Sequence, residues 1–325
     1  MKAEILKILR ETKGYVSGQQ LCDRFQVSRT AVWKAVNQLK EEGYPIEAVR
    51  NKGYYLKELP DIFSKEELES RMHNAWAGCE VHFFPEIDST NAKAKSLGEA
   101  GAPHGTLVAA DRQTAGKGRR GRSWSSPAGE NIYMTILLRP DMEPVKAPML
   151  TLVMAYSAAL ALRGYGVDAG IKWPNDIVVN GKKVCGILTE MSTEIDYINY
   201  VVIGTGINVG TREFPEEIAQ TAASLLTETG KTIPRAELTA EIIARFETLY
   251  EQFAQAGDLS FLQDRYNEIL VNCGREVRIL EPGRERTGTA RGIDRQGELL
   301  VEYPDGTIEP VFAGEVSVRG IYGYV

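Results

Sequence analysis

The sequence predicts an α+β fold in three successive parts. Residues 1–62 read as a helical module with a β-hairpin, residues 63–272 as a mixed β-sheet with helices against it, and residues 273–325 as a small β-barrel. Three observations predict this. The first sixty residues repeat apolar side chains at helical spacing and end in two short strands. The middle alternates strand-length apolar runs with tight turns around one long apolar helix. The last fifty residues alternate apolar and polar positions between Asp/Gly turns.

In the first part, "AEILKILRE" brings Ile5, Leu6, Ile8 and Leu9 together at helical spacing. Ser17 followed by Gln20 is a capping-box pattern for a second helix. Ser28 caps a third, "RTAVWKAVNQLKEEG", which Gly43 ends. On it Val32, Val36 and Leu39 share the inward face, while Arg29, Thr30, Trp33, Lys34 and Asn37 lie mostly away from that seam. Two short strands flank an Asn51–Gly53 turn. Three short helices and a hairpin make a winged helix-turn-helix. Its third helix fits a major groove, and Arg50 and Lys52 on the wing suit phosphates. Ser17 and Ser28, at the helix starts, complete the expected DNA-contacting set. On composition alone a helical module whose basic residues merely face water is the alternative. Pro60 then marks a boundary, and Ser64 with Glu67 caps a linking helix.

Charge supports this division. The chain carries 38 Lys and Arg against 44 Asp and Glu, a net of −6, which argues against a nucleic-acid coat over the whole surface. The first sixty residues hold eleven basic against seven acidic side chains, a net of +4, leaving −10 elsewhere. Cys22, Cys79, Cys185 and Cys273 stand apart, without metal-knuckle spacing, and read as reduced thiols of a cytoplasmic protein. The opening residues break into charge too early for a signal peptide, and "MLTLVMAYSAALALRGYG" reads as a buried helix, with no membrane partner expected. His73, His82 and His104 are scattered and read as structural.

In the middle part, "EVHFFPEI", "GTLVAADRQ" and "NIYMTILLRP" read as strands, with a helix entered through Ser89, Thr90 and Asn91 between the first two. "IKWPNDIVVNGKKVCGILTEM" reads as two strands turned at Asn180–Gly181, and "NYVVIGTGINVG" as another. In the last part "AELTAEIIARFETLYEQFAQAG" is an amphipathic helix, followed by short strands with turns at Asp294–Gly297 and Asp305–Gly306.

Three stretches carry chemistry. "AGKGRRGRSWSSPAG" holds Gly116, Gly118 and Gly121 in G-x-G-x-x-G spacing, but a loop follows where a dinucleotide fold needs a helix. Lys117, Arg119, Arg120 and Arg122 instead suit an anionic substrate, with glycines freeing the backbone to close over it and Trp124 able to cover a ring. "KWPND", Lys172 to Asp176, fixes a carboxylate that either caps a turn or stands near a phosphate, able to hold Mg²⁺. Alternation puts Lys182 and Lys183 on opposite faces, and Lys183 is chosen for the site, with close approach at Gly186. "GTGINV", with Gly204, Gly206 and Asn208, suits a flat ligand or forms only a bulge.

Together "STN", "GKGRRGRSWSSPAG", "KWPND", "KKVCGILTE" and "GTGINV" resemble the bacterial family of bifunctional biotin–protein ligases and biotin-operon repressors, over nearly the whole chain. That family's loop commonly begins Gly-Arg-Gly-Arg; Lys117 stands here at the first arginine position, keeping charge but losing the guanidinium fork. The resemblance implies a catalytic domain like class II aminoacyl-tRNA synthetases and an SH3-like C-terminal barrel. It implies ATP-dependent activation of biotin to biotinyl-5′-AMP, with Mg²⁺, then transfer to a lysine of the biotin carboxyl carrier domain of acetyl-CoA carboxylase or other biotin-dependent carboxylases. The adenylate would also act as corepressor, favouring a homodimer on operator DNA. Lys183, Arg119 and Asp176 are expected to serve catalysis, with Asp176 either holding Mg²⁺ or orienting the acceptor lysine. Ser89, Thr90, Asn91, Gln113, Lys117, Gly118, Arg119, Lys183, Gly186 and Gly204 are expected around biotin. Arg119, Arg120, Arg122, Trp124, Lys172, Asn175, Gly206 and Asn208 are expected around the nucleotide. A lipoate or octanoate ligase and a ligand-sensing repressor without turnover are the rival readings.

Overall fold

The computed structural model describes residues 1–195, 197–281, 284–312, 317–320 and 324. Two compact units emerge: residues 1–73 with 234–240, and residues 74–233 with 241–325.

The first unit opens with α1 (Lys2–Glu11), α2 (Gly18–Phe25) and α3 (Arg29–Glu41), then the antiparallel hairpin β1 (Ile46–Val49) and β2 (Gly53–Leu56), then α4 (Lys65–Arg71). Ser17 and Gln20 form the expected reciprocal capping box, and Ser28 accepts from the Ala31 amide. Asn51 takes a left-handed φ of 66° in the hairpin turn. Ile5, Leu6, Leu9, Leu21, Val36 and Leu39 close one apolar core. Each fully buried leucine there contributes roughly 2 kcal/mol of transfer free energy. The linking helix is tied down by charge: Glu67, 2% exposed, sits between Arg10 at 3.2 Å and Arg71 at 2.9 Å.

The second unit is built on a seven-stranded sheet. Its elements are β3 (Val81–Phe84), α5 (Thr90–Glu99), β4 (Leu107–Ala110), β5 (Ile132–Leu138), α6 (Met149–Gly164), β6 (Gly170–Lys172), β7 (Asp176–Val179), β8 (Lys182–Thr193) and β9 (Ile198–Ile207). The order across the sheet is β3-β4-β5-β9-β8-β7-β6. β3 and β4 run parallel and every other pair antiparallel, so the sheet is mixed. The segment Pro144–Gly164 is long and apolar enough to cross a membrane by composition, yet its apolar window is 78% buried within the protein, so α6 is a core helix.

The stretch read from sequence as two strands is three. A turn at residues 173–175, with a cis Trp173–Pro174 bond, separates β6 from β7 and pairs Lys172 with Asp176. The second turn falls at Asn180 and Gly181, with φ of 50° and 76°. After the sheet come α7 (Leu225–Thr229), α8 (Arg235–Ala256) and α9 (Gln263–Glu268). The C-terminal strands are β10 (Glu276–Glu281), β11 (Arg284–Ile293), β12 (Leu299–Glu302), β13 (Ile308–Val311) and β14 (Ser317–Gly320). They form an antiparallel sheet in the order β13-β12-β11-β10-β14. The expected barrel over 273–325 includes residues 282–283, 313–316, 321–323 and 325, which lie outside the described residues. This sheet meets the larger one where the Trp173 indole donates to the Gly297 carbonyl at 3.0 Å.

Candidate functional site

The site grows from the β6–β7 turn and from β8. The turn brings Lys172 and Asp176 opposite each other, and β8 brings Lys183 beside them. The Lys183 Nζ lies 2.6 Å from Asp176 Oδ1, and the Tyr324 hydroxyl donates to the other oxygen, Oδ2. Lys172 is 5% exposed and Asp176 8%, so these are buried charges, stable only because they are paired. Burial alone would raise the Asp176 carboxyl. Lys183 and Lys172, with the hydrogen bonds from Lys183 and Tyr324, outweigh it and hold Asp176 below its ordinary range. Cys185, two residues along β8 from Lys183, is fully buried, and burial pushes its thiol up.

The glycine-arginine loop folds back on itself. The Gly118 amide donates to the Arg122 carbonyl at 2.7 Å, and the Trp124 amide to the Gly116 carbonyl at 2.9 Å. Arg120 and Gly121 take left-handed φ of 59° and 72°. The loop is anchored where the Arg119 Nη1 donates to Asn175 Oδ1 at 3.0 Å; Asn175 in turn donates to the Ile187 carbonyl on β8. Burial lowers Arg119 from its ordinary value and Asp176 opposes that shift. Arg120, Arg122 and Lys117 are exposed.

Two cavities meet here. The larger, about 660 Å³, is lined by Arg119, Arg120, Arg122, Trp124, Lys172, Asn175, Asp176 and Asn208 among others. The smaller, about 50 Å³, is lined by all ten residues expected around biotin. Gly118, Arg119, Trp124, Asn175 and Lys183 border both. Gly206, expected on the nucleotide side, lines only the smaller cavity. The reason is Trp124: a Cβ at Gly206 would lie 2.7 Å from the indole Nε1, so the ring rests directly on that glycine and narrows the cavity. The indole Nε1 is buried with no hydrogen-bond partner.

The wall of the smaller cavity is a hydrogen-bonded chain. Asn91 Nδ2 donates to Glu190 Oε2 at 2.8 Å and to the Leu188 carbonyl, which turns its Oδ1 to accept from Thr135 at 2.7 Å. A Cβ at Gly204 would lie 2.0 Å from that Oδ1, so only glycine fits beneath it. The Thr90 amide and hydroxyl both donate to Gln113 Oε1, and Gln113 Nε2 donates to Ser126. Ser89 caps α5 through the Ala92 amide. Burial would raise Glu190, but the Lys95 and Asn91 donors hold it below its ordinary value.

Sequence reasoning missed Thr135, Glu190 and Tyr324. A threonine inside the apolar run "YMTILL" was a visible signal for the first. Nothing local marks Tyr324, which meets Asp176 across 148 residues.

In the first unit, α3 leaves Arg29, Thr30, Lys34 and Trp33 exposed, the indole at 56%, with Asn37 half-buried. Arg50 and Lys52 are exposed on the wing. The Arg29 guanidinium donates to Gln19 Oε1 at 2.8 Å, which orients it. Ser17 and Ser28 spend their hydroxyl acceptors on helix caps, so each has only its hydroxyl proton to offer a phosphate.

Comparison with known proteins follows the same division. Residues 83–208 match the biotin/lipoate A/B protein ligase family, residues 2–55 an HTH domain, and residues 273–319 the biotin protein ligase C terminal domain. The chain is 38% identical over 309 residues to the bifunctional ligase/repressor BirA of Bacillus subtilis, covering 94% of each. It is 34% identical over 305 residues to that of Escherichia coli, covering 93% of this chain and 92% of the other. Biotin protein ligase from Aquifex aeolicus, solved in complex with biotin and ATP, aligns with a TM-score of 0.65 at 32% identity, covering 74% of this chain and 99% of that one. Helix-turn-helix, ligase sheet and C-terminal module occur here in one chain, which belongs to the family of bifunctional, ATP-dependent biotin–protein ligases and biotin-operon repressors.

Proposed function

We propose that the smaller cavity seats biotin, the larger seats ATP, and Lys183 at their junction brings the two anions together. The observation that carries this reading is the shared border: Lys183, Arg119 and Asn175 face both cavities. Two negative groups must meet, and fixed cations offset their repulsion without reorganising during the reaction. A biotin carboxylate oxygen bonds to the α-phosphorus of ATP and the bond to pyrophosphate breaks, giving biotinyl-5′-AMP. The acceptor lysine amine then attacks the carbonyl carbon, loses a proton, and AMP leaves as the amide forms.

Each side chain has a part in this. Ser89, Thr90, Asn91 and Gln113 hold the ureido ring, beside Lys117, Gly118, Gly186 and Gly204. Lys183 holds the carboxylate and the α-phosphate oxygens, and Arg119 retains the adenylate. Arg120, Arg122 and Lys172 grip phosphates, with Asn175, Gly206 and Asn208 near the adenylate half. Trp124 lifts off the Gly206 floor to admit biotin and closes over it, shielding the anhydride from water. Its unpartnered indole Nε1 supports such an exchange of position.

Asp176 suits a Mg²⁺ ligand poorly. Lys183 and Lys172 stand beside it, and its two oxygens are taken by Lys183 and Tyr324. Among the described residues no three His, Cys, Asp or Glu side chains form a metal group. Mg²⁺ is assigned instead to the ATP phosphates, where such ions commonly travel with few protein ligands. Asp176 is assigned to orienting Lys183.

The acceptor is the biotin carboxyl carrier domain of acetyl-CoA carboxylase and of other biotin-dependent carboxylases, in the cytoplasm. Residues 1–62 form the DNA-binding domain, 63–272 the catalytic domain and 273–325 the SH3-like domain. Adenylate-bound protein dimerises and sets two copies of α3 on operator half-sites, a linkage in which a ligand that prefers the dimer tightens DNA binding. The ligase assignment is tested by mass spectrometry of a carrier domain incubated with protein, biotin and Mg-ATP. One biotin mass is expected on one lysine, and Lys183→Ala should slow labelling by about 10³-fold. Undiminished labelling by that variant removes Lys183 from the reaction.

A further inference from the structure

Tyr324 lies beyond the last strand, β14, yet both ends of its side chain meet the β6–β7 turn. Its hydroxyl donates to Asp176 Oδ2, and Lys172 Nζ stands 3.6 Å from its ring centroid. The other carboxylate oxygen holds the Lys183 ammonium at 2.6 Å. A carboxylate turns easily about its last torsion, and a donor on one oxygen fixes the plane of the other. A flexible lysine stem ends wherever its partner stands. From this geometry we propose that Tyr324 is a positioning residue for the ligation: acting through Asp176, it sets where Lys183 holds its ammonium between the two cavities. Its ring also covers Lys172, a cation the larger cavity presents to its ligand.

Among the described residues, five groups face Asp176. Lys172 comes from β6, Lys183 and the buried Cys185 from β8, Arg119 from the loop, and Tyr324 from the segment after β14. Tyr324 is neutral and donates directly to Oδ2. It therefore orients the carboxylate without competing for the charge that Lys183 supplies.

This inference rests on the ligase reading above. The test uses the full chain as Tyr324→Phe, Asp176→Asn and the double variant. Phenylalanine keeps the ring over Lys172 and removes only the hydroxyl. The assays are biotin- and ATP-dependent pyrophosphate release and calorimetric binding of biotin. Expected for Y324F is a fall in kcat of about tenfold, the scale of one charge-assisted hydrogen bond, with the KM for biotin within about twofold of wild type. The double variant should match D176N alone, because the tyrosine acts through the carboxylate. Unchanged kcat in Y324F, or losses that multiply in the double variant, overturns the proposal. So does a lower KM for ATP at unchanged kcat, which would make the ring an obstacle in the nucleotide cavity. Wild-type protein that releases no pyrophosphate sinks the ligase reading itself, whereas an active wild type with an indifferent Y324F sinks the tyrosine alone.

Discussion

The recognition helix and the β6–β8 site both carry lysines, and they handle charge in opposite ways. On α3, Arg29 and Lys34 stand in water, over a core of Val32, Val36 and Leu39 that is no more than 1% exposed. At the sheet, Lys172 and Asp176 are buried side by side, and the half-buried Lys183 pairs with Asp176 at 2.6 Å. Charge in water costs little and is screened by salt, whereas charge in the interior is tolerated only with a partner in place. The helix is therefore an electrostatic surface in which number matters. The sheet site is one in which position matters.

The sharpest way to break this contrast is Asp176→Asn. It leaves Lys183 half-orphaned, and ligation is expected to fall by about 10³-fold while α3 still binds DNA. The pH dependence has a fixed sign. Asp176 is held below its ordinary range, so its contribution is present above that range and lost only as pH falls through the lowered value. The difference in melting temperature between wild type and D176N should stay flat from about pH 8 to 6 and shrink only below about pH 4. A difference that already shrinks near neutrality would mean that another group dominates.

Leu39→Ala comes next. Emptying the core under α3 should destabilise the first unit by roughly 3 kcal/mol, measured by denaturant unfolding. Operator binding should weaken with it while pyrophosphate release stays near wild type. Loss of both activities together would show that the two regions are not energetically separate.

The smallest effect is expected for Lys34→Ala. An exposed lysine that meets a phosphate should cost only a few-fold in affinity and lower the salt slope of operator binding by about 1. The measurement is made with and without biotin plus ATP. A change in sequence preference in place of the slope would make Lys34 a base reader, and binding indifferent to biotin and ATP would remove the proposed corepression.

How much of this was legible follows the same contrast. The Ser17–Gln20 capping box, the Asn180–Gly181 turn and the inward face of α3 are local, and the structure has them where spacing put them. The residues expected around one ligand converge because their short motifs fall at the start of α5, in the glycine-arginine loop and its approach, and on the neighbouring strands β8 and β9. What was not legible depends on contacts far apart in sequence. Gly206 falls on the smaller cavity because Trp124, 82 residues earlier, lies on it. Asp176 looked free to hold a metal because neither Lys183 across the hairpin nor Tyr324 could be assigned to its oxygens from spacing. One strand became two at Trp173–Asn175, where the proline already looked misplaced in a ladder.

Cys185 stands two residues from Lys183 on β8, yet it is fully buried and lines neither cavity. Burial favours its protonated thiol, a poor nucleophile, and keeps reagents in water from reaching it. Alkylating reagents that silence the exposed Cys79 and Cys273 should therefore leave this thiol untouched.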